Sequence, residues 1–224
     1  MLLKQESSYS EWLDDTARRE GIEAIRESLP VRYSYSIGAD IGKSLDRSVL
    51  TTIETETTDK ATNHYIRDIR ALPKNTNFVT QAEMIAEFMQ RPNFTYWPAQ
   101  LVLDGSGIGA VVSDILRTEY DLNFKKVVIT SGEKRYSRNW LINTLRKWFE
   151  KPSFHISDQI RGAKELRDEL EAITSEQRPS GLVYLGGKHD DYVLSAALAV
   201  SNLENKVALT GGSTDIFFSD VFKA

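Results

Sequence analysis

The chain has 224 residues with 28 Lys plus Arg against 32 Asp plus Glu, a formal net charge of −4, 41 % hydrophobic and 27 % charged residues. This composition supports a sizeable apolar core in one large domain and excludes disorder along the whole chain. Cysteine is absent, which excludes disulfides and thiolate metal sites, and the longest near-apolar stretch, Val193 to Val200, is far short of the ~20 residues that span a bilayer.

A pI near 5.5 argues against coating nucleic acid through an overall positive field, and leaves room for local DNA contact. Residues 1–30 are polar and charge-rich, with a weak helical stripe of Leu13, Ala17, Ile22, Ile25 and Leu29 before Pro30, and are expected to form a helical arm or linker. The opening MLLKQESSYSEWLDD has no basic stretch followed by an apolar core, so no secretory signal is read and a cell interior is the expected compartment. The pattern then changes. Tyr33, Tyr35 and Ile37 alternate with small residues up to Asp40, and a β-branched run follows from Ser48 to Thr58. His64 to Leu72 predicts a third strand, with Tyr65, Arg67, Ile69 and Ala71 on one face and Ile66, Asp68, Arg70 and Leu72 on the other.

Val79 to Met84 opens a helix, with Thr80 and Glu83 at capping-box spacing and Val79 and Met84 at staple spacing; Arg91-Pro92 stops it. Leu101-Val102-Leu103 is continuously apolar, as expected of a strand buried on both faces, and runs into Asp104 and a glycine cluster. Ile108, Val111, Val112, Ile115 and Leu116 form the core stripe of the next helix, and Val127 to Ile129 predicts another short strand. Strand, helix, strand implies a parallel unit with a right-handed crossover. Helices are predicted over Trp140 to Phe149 and Gly162 to Ile173, short strands at Phe154 to Ile156 and Leu182 to Leu185, and a last helix over Tyr192 to Leu203. The fold class is α/β.

Two glycine motifs mislead. Gly38-Ala39-Asp40-Ile41-Gly42-Lys43-Ser44 has one residue too few between its glycines for a phosphate loop, and a β-branched strand follows where that loop needs a helix. Gly105-Ser106-Gly107-Ile108-Gly109-Ala110 satisfies a loose dinucleotide fingerprint, but no acid ends the next strand and Asp104 would crowd the pyrophosphate. The simpler reading is that these glycines let the turn clear an aspartate pointing into a site.

The acidic residues carry more. Asp40 lies on the first strand, Asp104 ends a buried strand, and Asp190-Asp191 opens the final helix. Singly, Asp190 reads as a helix cap and Asp40 as a turn residue; jointly, carboxylates brought to one point repel each other, and a hard divalent cation with oxygen ligands relieves the repulsion. Two such cations ~4 Å apart can activate a water and stabilise the leaving oxygen of a phosphodiester.

The sequence around these acids has a specific resemblance. Asp40-Ile-Gly-Lys-Ser-Leu-Asp-Arg-Ser-Val-Leu, then Leu-Val-Leu-Asp104-Gly-Ser-Gly-Ile-Gly, then His189-Asp190-Asp191 before an Ala-rich helix, resembles the nuclease domain of bacteriophage large terminases over roughly Val31 to Leu203. That resemblance implies a ribonuclease H-like fold, a mixed central sheet flanked by helices, and metal-dependent endonuclease cleavage of concatemeric double-stranded viral DNA during genome packaging. It implies two ions, Mg²⁺ or Mn²⁺, with Asp40 bridging both, Asp104 binding one and Asp190 or Asp191 the other; Asp46 matches a recurrent acid of the family, and His189 is a second accessory candidate. It also implies an arm at 1–30, a nuclease domain at 31–203 and a tail at 204–224, with an ATPase motor domain, a small terminase and a portal protein as partners in the host cytoplasm, and no membrane. For the DNA backbone the candidates are Lys134, Arg135 and Arg138 in one loop and Lys188 beside the His-Asp-Asp step. A Holliday-junction resolvase or other two-metal nuclease of the same fold, and a non-catalytic DNA or capsid adaptor, are the competing readings.

Overall fold

Alternation turns the first third of the chain into a meander. In the computed structural model, which describes residues 20–42, 47–131, 134–177, 183–187 and 189–210, residues 20–28 form helix α1. Strands β1 (Val31–Asp40), β2 (Val49–Thr58) and β3 (Thr62–Ala71) then pair antiparallel in sequence. Helices α2 (Phe78–Met89) and α3 (Pro92–Tyr96) lead to β4 (Ala99–Asp104), which returns parallel to β1. Helix α4 (Ile108–Thr118) crosses to β5 (Lys125–Val127), parallel to β4. Helix α5 (Arg138–Phe149), β6 (Phe154–Ile156), α6 (Ala163–Glu171), the β7–β8 hairpin (Thr174–Gln177, Val183–Gly186) and α7 (Asp191–Thr210) complete the described residues. The six-stranded sheet has the order β5-β4-β1-β2-β3-β6, mixed in direction.

Each face of the sheet has its own core. Tyr35, Ile37, Ala39, Leu50, Leu101 and Leu103 pack with α2 and α4, whereas Val49, Ile53, Val102 and the Ala-rich middle of α7 form the core on the other side with α5 and α6. Burial on both faces is what the continuous Leu101-Val102-Leu103 run anticipates. Among the described residues no helix is long and apolar enough to cross a membrane.

Helix α7 lies unusually close to the sheet because its contact face is small. A Cβ on Gly38 would stand 2.0 Å from the Ser195 carbonyl oxygen and 2.4 Å from the Ala199 nitrogen. Beside it, Ser36 Oγ donates to the Ala199 carbonyl at 2.7 Å and Thr51 Oγ1 meets Ser195 Oγ at 2.8 Å, so the buried hydroxyls are paired across the seam. Gly38 therefore serves helix–sheet packing inside a strand, in line with rejection of the phosphate-loop reading.

Three local expectations need correction. The register between β2 and β3 shifts at Thr52/Ile53, passing over Arg67. That bulge resets the alternation, so Ile66 and Ile69 enter the same core although strict alternation puts them on opposite faces. Helix α2 is capped by Asn77, whose side chain accepts from Thr80 N at 2.9 Å, and Val79 is 60 % exposed, so the Thr80 box and the Val79 staple are not used. In α4 Val111 faces solvent, leaving Val112, Ile115 and Leu116 as its core stripe.

Candidate functional site

Alternation along β1 and β4 decides where the acids point. Tyr35, Ile37 and Ala39 belong to the α2–α4 side, so Ser36, Gly38 and Asp40 face α7. Leu101 and Leu103 likewise face α4's side, which turns Val102 and Asp104 toward α7. The parallel register pairs Ala39 with Leu103, so Asp40 and Asp104 follow side by side at adjacent strand ends. Ligands of open α/β sheets gather at such carboxyl ends.

The glycines after β4 keep this edge tight. Gly107 has φ of +53°, which favours glycine, and starts α4. A Cβ on Gly109 would stand 1.8 Å from the Asp104 carbonyl oxygen. The Asp104 side chain accepts from Ser106 N at 2.9 Å, and Ser106 Oγ accepts from Ile129 N at 3.0 Å, tying the turn to the segment after β5. The run serves to place an aspartate at the strand end.

Helix α7 runs back along β1, and its residues 191, 195 and 199 recur at i, i+4, i+8 on one face. Ser195 and Ala199 touch β1 and β2, so Asp191 extends that stripe toward Asp40. Its charge, together with that of Asp104, is among those that act on Asp40. Asp190 is one position off the stripe and turns to α5, where it forms an ion pair with Arg138. Asp190 is thus paired to α5, and Asp191 lies on the stripe toward β1.

Asp40 is 8 % exposed. Burial raises its carboxyl well above the usual carboxylate range, and Asp104, Asp191 and Glu169 push it further up, while Arg138 pulls it down. Glu169, on α6, is a member of this group that the sequence reading misses. Its Oε2 accepts from Tyr192 N at 2.9 Å and from Val193 N at 3.1 Å, and burial raises its carboxyl despite those donors. The signal was present: Glu169 stands three residues after Leu166 and one before Leu170, on the inward side of α6.

The remaining candidates are spread around this centre. Lys134 and Arg135 are exposed in the loop before α5, with the Arg135 guanidinium 5.3 Å from the Tyr136 ring centroid and 5.7 Å from that of Trp140. Arg138 is brought to the carboxylates. His189 is exposed, next to Asp190. Asp46 and Lys188 lie outside the described residues. His64 meets Thr55 Oγ1 at 2.9 Å and packs edge-on against Trp148, which makes it a structural histidine.

The donors at and around Asp40 are oxygen-only, at least partly buried and of one sign, a chemistry that fits a hard divalent cation. Among the described residues, no group of three or more His, Cys, Asp or Glu side chains is arranged to hold a metal ion. The cluster is one of proximity, not of preformed coordination.

No family model matches the chain. It is 26 % identical over 191 residues to the large terminase subunits of Thermus phage G20c and Thermus virus P23-45, covering 84 % of this chain and 36 % of each relative. The chain thus spans about a third of the length of the curated relatives it matches. Among solved structures, the large terminase nuclease from thermophilic phage G20c with bound magnesium superposes with a TM-score of 0.56 at 23 % identity, over 75 % of this chain and 81 % of that one. The fold is the ribonuclease H-like fold of large-terminase nuclease domains. The nuclease domain of the Thermus phage P74-26 large terminase gives a TM-score of 0.54 at 21 % identity, over 75 % of this chain and 78 % of that one. The terminase-like resemblance read from the acid-bearing motifs therefore holds in both sequence and fold.

Proposed function

We propose that this terminase-like domain is a divalent-metal-dependent DNA endonuclease that cuts concatenated double-stranded viral DNA during genome packaging. The observation that carries the reading is the meeting of Asp40, Asp104 and Asp191 at the carboxyl ends of two central strands, with the Asp40 carboxyl raised first by its burial and then by the other two acids. Mutually repelling carboxylates cost stability unless a cation joins them, which is the expected signature of a site shaped for function. The sequence similarity to terminase large subunits supports the same activity.

In this reading Asp40, Asp104 and Asp191 would together hold two divalent ions, Mg²⁺ or Mn²⁺, with Asp40 serving both. When bound, the ions supply an activated water and neutralise charge on the scissile phosphate. The chain's own residues do the rest. The stripe of α7 against β1 orients Asp191, and the Ser106 N–H fixes the Asp104 side chain. Arg138 holds Asp190 in the same corner and reduces the local negative charge that would repel a phosphate. Lys134 and Arg135 are the exposed cations for the DNA backbone, joined by Lys188. In the packaging machine the partners would be an ATPase motor domain, a small terminase and a portal protein, in the host cytoplasm.

The test is plasmid cleavage in Mg²⁺ or Mn²⁺ combined with titration calorimetry of the metal alone. Asp40→Ala, Asp104→Ala and Asp191→Ala are each expected to lose cleavage by more than about a hundredfold, above the range typical of residues that only support metal ligands. Full cleavage by Asp40→Ala would overturn the assignment. Absence of any metal binding by the wild-type chain would favour a non-catalytic adaptor, and preference for four-way junctions over linear duplex a resolvase.

A further inference from the structure

A residue from another helix accepts the first free N–H groups of helix α7. In an ordinary helix start the residue before the first turn turns its side chain onto the N–H groups of the second and third helical residues. Here that residue is Asp190, and its carboxylate is committed to Arg138 on α5. The two N–H groups it would have capped, those of Tyr192 and Val193, both donate to one oxygen of Glu169, at 2.9 Å and 3.1 Å. Glu169 comes from α6, whose Leu166 is buried in the core shared with α7. The start of α7 is therefore held from two sides, by Arg138 on the side chain of Asp190 and by Glu169 on the backbone directly after Asp191.

We propose that Glu169 is a positioning residue that fixes the first turn of α7 and so aims the Asp191 carboxylate at Asp40. The arrangement explains why a glutamate is kept half-buried among other acids. As a neutral spacer it would be replaceable, and as a fourth repelling carboxylate it would be costly; as an acceptor for two unpaired helical N–H groups it is compensated locally. It also explains how two consecutive aspartates are sorted. With the capping task removed from Asp190, that residue is free to turn to Arg138, and the rotation of about 100° per helical residue then leaves Asp191 on the face toward β1.

The inference rests on the metal reading only for its consequence at Asp191; the cap itself stands without it. Two variants of the full chain separate the cases. Glu169→Gln keeps a side-chain oxygen for the two N–H groups and loses the charge, whereas Glu169→Ala loses both. Site-resolved amide exchange in metal-free protein is expected to accelerate at Tyr192 and Val193 in Glu169→Ala, with the middle of α7 unchanged and near-wild-type protection in Glu169→Gln. Calorimetric Mn²⁺ titration is expected to show affinity lower by about tenfold or more in Glu169→Ala and largely restored in Glu169→Gln, as for a residue that supports a metal ligand. Unchanged exchange at the two amides in Glu169→Ala would overturn the cap. Faster exchange with unchanged Mn²⁺ affinity would overturn its role in aiming Asp191. A wild-type chain that binds no Mn²⁺ would overturn the metal reading and the role at Asp191, while the amide data still decide the cap.

Discussion

Glu54 and Asp40 are carboxylates on neighbouring strands of one sheet, and their surroundings are opposite. Glu54 on β2 takes two bonds from the Arg67 guanidinium, at 2.9 Å and 2.7 Å, and one from the Tyr35 hydroxyl at 2.9 Å. Every partner is a donor, and the Arg67 side chain is still half in water. Asp40 on β1 is buried among Asp104, Asp191 and Glu169, with Arg138 as the opposing charge among those that act on it. The first arrangement is what structure alone would choose, a carboxylate matched to its donors. The second opposes stability, and such mismatch at the ends of adjacent strands is where chemistry is to be sought.

The sharpest way to test the contrast is to neutralise each acid's environment in turn. Asp40→Asn keeps the shape and removes the repulsion, so it is expected to abolish metal-dependent cleavage while raising the melting temperature of metal-free protein by about 2–4 °C, the shift that about 1 kcal/mol gives in a domain of this size. A lower melting temperature would show that the burial of Asp40 is not a liability.

The pH dependence of metal-free stability is the next largest effect. Asp40 keeps its proton to higher pH in the folded than in the unfolded chain, so the folded state binds more protons and stability falls as pH rises. The loss begins near the ordinary aspartate value of about 3.9 and continues up to the raised native value. Glu169 acts with the same sign. Metal-free protein is thus expected to melt higher at about pH 5 than at about pH 8, with a shallower slope in Asp40→Asn. The groups facing Asp40 are Asp104 from β4, Asp191 from α7, Glu169 from α6 and Arg138 from α5. A melting temperature flat across that range would remove the repelling cluster from the account.

The matched carboxylate should be nearly silent. Arg67→Ala removes a half-exposed partner of Glu54, so stability is expected to fall by about 1 kcal/mol or less, with cleavage and Mn²⁺ affinity unchanged. Chemical denaturation and the plasmid assay check both halves.

How much of this was legible depended on range. Alternation along β1 and the apolar run of β4 place Asp40 on a strand and Asp104 at a strand end without any tertiary information, but the parallel unit read from the order of elements joins β4 to β5, and the pairing of β1 with β4 that makes the two acids neighbours is a long-range contact. Which of Asp190 and Asp191 lies on the face toward Asp40 is not legible from motif spacing, because it depends on what α7 packs against. The small residues at 195 and 199 carried that signal once β1 was known to offer Gly38. Arg138 reads as a DNA contact in sequence because its loop is basic, and only the docking of α5 beside α7 reveals its bond to Asp190. The bulge at Arg67, the Asn77 cap and strand β7 were missed because each is fixed by local backbone geometry that residue type only weakly specifies.

The seam of α7 on β1 also has a temporal meaning. The acids and their partners come from β1, β4, α5, α6 and α7, so the group spans the described chain from its first strand to its last helix. A ribosome releases the strands first and α7 last, and segments so far apart in sequence close slowly. No chain that lacks a docked α7 can hold Asp191 against Asp40, whatever else it has folded. The repulsion between Asp40 and Asp104 is met when β1 pairs with β4, and the Asp191 share is added only when the Ala-rich face of α7 gains its apolar contacts with the sheet. A fragment ending before α7 would be a sheet without an assembled acidic centre, and a growing chain would lack that centre until its synthesis had passed that helix.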